Sequence, residues 1–150
     1  MKHTVVALPY EEKFIPTFER LKGSAFLEAE KTTLLHVFPT KIIPMEMTTY
    51  TYPSEEEIPG IRESVLTYLT MMKNKLFGDR EESRVQLECR FSTNPKKDVV
   101  DFLGKNKADC VIVATRGLSG FQNLFSSSFA DFMIKHAPCD VHVLRSPHFD

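Results

Sequence analysis

The residues best suited to chemistry stand together near the end of the chain. Thr115-Arg-Gly-Leu-Ser-Gly120 and Ser126-Ser-Ser128 separate an apolar run, Asp109-Cys-Val-Ile-Val-Ala114, from a helix-patterned segment running from about Ser127 to Ala137. A buried strand, a loop of small residues and a helix N-terminus, in that order, put unpaired backbone N–H groups and a positive helix end at the carboxyl edge of a parallel sheet. Phosphates bind in such places. Arg116 and the hydroxyls of Thr115, Ser119, Ser126, Ser127 and Ser128 suit a phosphate or a sulfate. The same serines serve equally well as helix caps, and both readings stay open.

Other chemistry is sparse. His3, His136, His142 and His148 show no metal-ligand spacing with a cysteine or carboxylate, so no metal site is expected. His36 falls inside a strand pattern and reads as a structural histidine. Cys89, Cys110 and Cys139 are widely spaced, odd in number and without a Cys-x-x-Cys pair, which argues against a disulfide framework. Cys89 and Cys110 sit on apolar strand patterns; Cys139, between a helix and a strand, is the one candidate reactive thiol. No nucleophile and base stand at recognisable spacing and no carboxylates converge. The chain reads as a non-enzyme.

The positioning elements follow from periodicity. Thr4-Val-Val-Ala-Leu8 and Thr33-Leu-Leu-His-Val-Phe38 are short apolar runs of the kind buried on both sheet faces. Between them, Phe14, Phe18, Leu21, Ala25 and Ala29 line one face of a helix from about Glu12 to Glu30, with Gly23-Ser24 a point of bending. Residues 39 to about 60 hold Pro39, Pro44, Pro53, Pro59 and Gly60. They read as a long irregular loop: a lid, an interface arm or a mobile segment. A helix follows from about 60 to 77 on Ile61, Val65, Leu69 (or Tyr68), Met72 and Leu76, and Gly78 stops it. Arg84 to Phe91 alternates strictly, as an edge strand does. Asn94-Pro95 starts a helix by cap and fixed φ, with Val99, Val100, Phe102 and Leu103 inward. The last helix turns Phe129, Ala130, Met133 and Ala137 inward, and Val141-His-Val-Leu144 is the final strand. Alternating strands and helices predict one α/β domain, residues 1–150, around a doubly wound, five-stranded parallel sheet with about four helices.

Composition excludes broad classes. A net charge of −1 and a pI near 6.5 give no pull toward nucleic acid or an anionic membrane. No stretch reaches membrane-span length, and the apolar run at the N-terminus is too short for a signal peptide. A cytoplasmic protein is expected.

Three segments carry a family resemblance: Leu34-Leu-His-Val37, Ala108-Asp-Cys-Val-Ile-Val-Ala-Thr-Arg-Gly-Leu-Ser-Gly120, and His136-Ala-Pro-Cys-Asp-Val-His-Val-Leu-Arg145. Together they resemble the universal stress protein family across nearly the whole chain. The resemblance implies a sheet ordered 3-2-1-4-5 of the adenine nucleotide alpha hydrolase type. It also implies a homodimer paired through Val141–Leu144, with protein partners unidentified. Nucleotide-binding members carry Gly-x2-Gly-x9-Gly-(Ser/Thr) after the fourth strand. Here the frame reads Ala114-Thr-Arg-Gly117, nine residues, Ser127-Ser128, so Gly117 and Ser128 keep the pattern while Ala114 and Ser127 depart from it. Val37, Val113, Gly117, Ser127, Ser128 and Phe129 match the family's contact positions, with Ala114 and Arg116 beside them. The aspartate that holds the ribose in ATP-binding members corresponds to Pro9. A lost charge-assisted hydrogen bond and two added side chains would together cost about 3–6 kcal/mol, or two to four decades of affinity. The expectation is a non-catalytic stress-response module with a degenerate nucleotide loop that holds no cofactor or a weakly bound ATP or AMP. The alternative is a nucleotide-gated sensor. An ATP pyrophosphatase would want a Ser-Gly-Gly-x-Asp-Ser loop where Leu8-Pro-Tyr-Glu stands.

Overall fold

The computed structural model describes residues 1–79, 83–116 and 128–146. Strand β1, His3–Ala7, is buried along its whole length. It lies between β2, Lys31–Pro39, and β6, Cys110–Arg116; β5, Val85–Ser92, and β7, Asp140–Ser146, form the edges. All four pairings are parallel and the order is β5-β2-β1-β6-β7. Leaving aside a separate hairpin, that is the expected 3-2-1-4-5.

Successive side chains leave a strand on opposite faces, so each central strand feeds two cores. Val6, Leu34, Ile112 and Leu144 pack with Phe18 of α1, Ile15–Glu19, and with Leu69 and Met72 of α2, Ile58–Phe77. Val5, Leu35, Val111 and Val113 pack on the other side with Phe102 and Leu103 of α3, Pro95–Lys105, and Met133 of α4, Phe129–His136. Burial on both faces explains why these strands read as continuous apolar runs.

Two segments differ from the sequence expectation. The span from Glu12 to Glu30 is not one helix: a 3-10 turn at Glu12–Phe14, the short α1 and a second 3-10 turn at Ala25–Glu28 replace it. The helix stops at Glu19, and beyond it Gly23 takes φ +77°, a left-handed conformation from which regular helix does not resume. The break shifts the phase, so Leu27 is buried and Ala25 is exposed. The irregular stretch after Pro39 holds an antiparallel hairpin, β3 Lys41–Pro44 with β4 Thr49–Tyr52, all of it exposed. Elsewhere the local signals act as expected. Asn94 Oδ1 accepts from Lys97 N at 3.3 Å at the start of α3, and Gly78 N donates to Asn74 O at 2.8 Å at the end of α2.

Candidate functional site

A cavity of about 390 Å³ opens at the carboxyl ends of β1, β2 and β6, within the range of small-molecule pockets. Ala7, Leu8 and Pro9 wall it where β1 ends, Leu35, His36 and Val37 from β2, and Ala114 and Thr115 from β6. Pro95 and Val99 of α3, Ser128 and Phe129 at the start of α4, and Glu11 and Phe14 complete it. It lies beside β1 and β6, where the strand order reverses, the usual ligand position in an open α/β sheet.

Of the expected site residues, Val37, Ala114, Ser128 and Phe129 come together here. Val113 does not line the cavity; it is wholly buried in the sheet, because its side chain leaves β6 toward the α3–α4 core. Arg116 ends β6 opposite Ser146, and its side chain, with Gly117 and Ser127, lies outside the described residues. Among the residues missed by sequence reading are Pro95, Val99, Leu35 and Phe14. They passed as a helix start and ordinary core positions, which they also are.

The walls are mostly apolar. Ser128 Oγ accepts from Asp131 N at 3.1 Å, so this serine caps α4. Glu11 pairs with Lys13 at 3.1 Å in solvent, a contact worth little energy there. The described residues hold no cluster of His, Cys, Asp or Glu fit for a metal. Burial pushes the Cys139 thiol up, as do Asp140 and Asp109, which works against a reactive thiolate.

His36 is fixed by the cavity wall. Its Nδ1–H donates to the Leu8 carbonyl at 2.7 Å, and Leu8 N in turn donates to Leu35 O at 2.8 Å. A carbonyl can only accept, so the neutral ring carries its proton on Nδ1. Burial holds His36 below the ordinary 6.5, against the opposing pull of the Leu8 carbonyl, and burial does the same to His3. The unfolded chain therefore takes up protons first as pH falls. The stability these two histidines contribute is complete above about pH 6.5 and is lost as pH drops through their lower folded values. Urea midpoints are expected to decline from pH 6.5 to 5, and imidazole NMR to show a His36 Nδ1–H tautomer titrating below 6.5. An imidazolium at His36 already at pH 6.5 would contradict this assignment.

A model of the universal stress protein family matches residues 20–145. The chain belongs to the universal stress protein family. A universal stress protein A-like protein of Arabidopsis thaliana is 29% identical over 120 residues, 77% of this chain and 66% of that protein. A universal stress protein of Methanocaldococcus jannaschii is 36% identical over 53 residues, 35% of this chain and 31% of that one. The matched part thus spans less than two thirds of either relative. Among solved structures, a universal stress protein in complex with cAMP superposes with a TM-score of 0.69 at 14% identity, covering 97% of this chain and 98% of that one. A universal stress protein family protein from Arabidopsis thaliana with AMP bound gives 0.58 at 18% identity, covering 98% and 93%. These likenesses show the universal stress protein fold. No helix among the described residues is long and apolar enough to cross a membrane.

Proposed function

We propose that this universal stress protein is a non-catalytic, cytoplasmic binding module of the stress response whose cavity takes an adenine nucleotide with weakened affinity. Pro9 carries the reading. It lines the cavity where β1 ends, at the place of the ribose-binding aspartate, and a proline ring offers the ribose hydroxyls no acceptor. Ala114, also in the wall, brings a methyl group to a glycine position of the nucleotide-binding pattern. The apolar walls still suit a base, and the start of α4 suits a phosphate. The complexes of related folds with cAMP and AMP support that ligand class.

Calorimetric titration of AMP and ATP into protein stripped of ligand by unfolding and refolding tests the reading. Dissociation constants weaker than about 0.1 mM are expected, without ATP turnover. Micromolar binding would instead establish a nucleotide-gated sensor.

The proposal includes a homodimer paired through β7. The two sheet edges differ in kind. On β5, Arg90 pairs with Glu88 at 3.7 Å and with Asp98 at 2.6 Å, and such charges discourage pairing with another sheet. The middle of β7 is Val141-His-Val-Leu144 and carries no fixed charge.

A further inference from the structure

We infer that the β3–β4 hairpin is a self-pairing arm: two copies of this chain join edge to edge through β4 into a four-stranded antiparallel sheet. The arm needs a cover. Nine large hydrophobic side chains are exposed among the described residues, and six of them, Ile42, Ile43, Met45, Met47, Tyr50 and Tyr52, belong to this hairpin. Met47 at the tip is 96% exposed. Their exposed surface is on the order of 800 Å², one partner's share of an interface of standard size. An isolated two-stranded hairpin is marginal in water, and further strands stabilise it.

The register shows which edge is open. Met45 and Thr48 exchange hydrogen bonds in both directions, at 2.8 and 3.3 Å. Antiparallel pairs alternate between bonded and non-bonded, so Pro44–Thr49 and Ile42–Thr51 are the non-bonded pairs of the ladder. Ile42 and Pro44 on β3, and Thr49 and Thr51 on β4, therefore turn their main-chain groups outward. Pro44 has no N–H, and its ring blunts the β3 edge. The β4 edge is free of proline: Thr49-Tyr-Thr-Tyr52 is β-branched and aromatic throughout.

The edge is self-complementary. A two-fold axis beside Tyr50 lets Thr49 of each copy exchange main-chain hydrogen bonds with Thr51 of the partner subunit. Tyr50 then faces Tyr50 of the partner subunit, and Ile43, across from Tyr50 in the register, extends the same face. Aromatic cross-strand pairs of this kind stabilise a sheet. The arm carries one cation, Lys41, and one anion, Glu46. Copies do not repel one another, and no charge selects a different partner.

The test uses the full chain. Thr51→Pro removes an N–H that the hairpin's own ladder does not use, so the arm still forms while its edge is closed. In light scattering at high micromolar concentration, wild type and Thr51→Val are expected to show at least twice the mass of Thr51→Pro. An unchanged mass in Thr51→Pro, or an equal loss in Thr51→Val, overturns the proposal. Tyr50→Cys supplies a second measurement that does not depend on the proline variant folding. Opposed Cα atoms in a non-bonded pair lie about 4.5 Å apart, within disulfide range. Mild oxidation should give a covalent dimer of Tyr50→Cys and none of Ile42→Cys. A monomeric wild type with no Tyr50→Cys cross-link overturns self-pairing and leaves the arm to a different protein.

Discussion

Replacing Pro9 with aspartate is expected to tighten AMP binding by about ten- to a hundredfold. Pro9 stands in the cavity wall between the last buried residue of β1 and the bend at Tyr10. A carboxylate there would accept from the ribose hydroxyls, and a hydrogen bond to a charged group contributes about 1.5–3 kcal/mol. The backbone permits the exchange, since the bond from Leu8 N to Leu35 O at 2.8 Å and that from His36 to the Leu8 carbonyl leave residue 9 unused. Calorimetry with AMP measures the gain, and 2′,3′-dideoxyadenosine monophosphate should show none. A change below about threefold with AMP would mean that the ribose does not lie against Pro9.

Val143→Asp, made in the Thr51→Pro background so that only the sheet edge is at issue, is expected to halve the particle mass from dimer to monomer. Val143 lies opposite Val113 in the β6–β7 register and is partly exposed. In a β7–β7 pairing its remaining surface would be covered, and a carboxylate there would be stripped of water. Two such charges near the two-fold axis would also repel. Light scattering reads the mass, and circular dichroism checks that the sheet survives. A mass unaffected by the substitution would remove the β7 pairing.

The strands were legible because burial on both faces writes an unbroken apolar run, and Thr4–Leu8, Thr33–Phe38 and Asp109–Ala114 are such runs. The segment after Pro9 misled because Phe14, Phe18 and Leu21 keep helical spacing up to the point where Gly23 turns left-handed. Spacing does not reveal where the backbone leaves the helix. The hairpin was hidden for another reason. Strand periodicity is a record of one face being buried, and all eight strand residues of β3 and β4 are exposed, so no face left a pattern. At the site, Val37, Ala114, Ser128 and Phe129 could be named through the family frame. Pro95 and Val99 could not, since α3 reaches the cavity only through the fold, and nothing in a capped amphipathic helix says which end meets a ligand.

The central place of β1 has a consequence for synthesis. Within this sheet it is the first strand to be synthesised, yet one of its neighbours, β6, begins only at Cys110. At about 5–20 residues per second, that edge waits roughly 5–20 s after β1 is complete. For that interval Val5, Val6 and Ala7, all buried in the finished domain, form an open apolar template. This domain is therefore most exposed to aggregation, and most in need of a chaperone, before β6 has been translated.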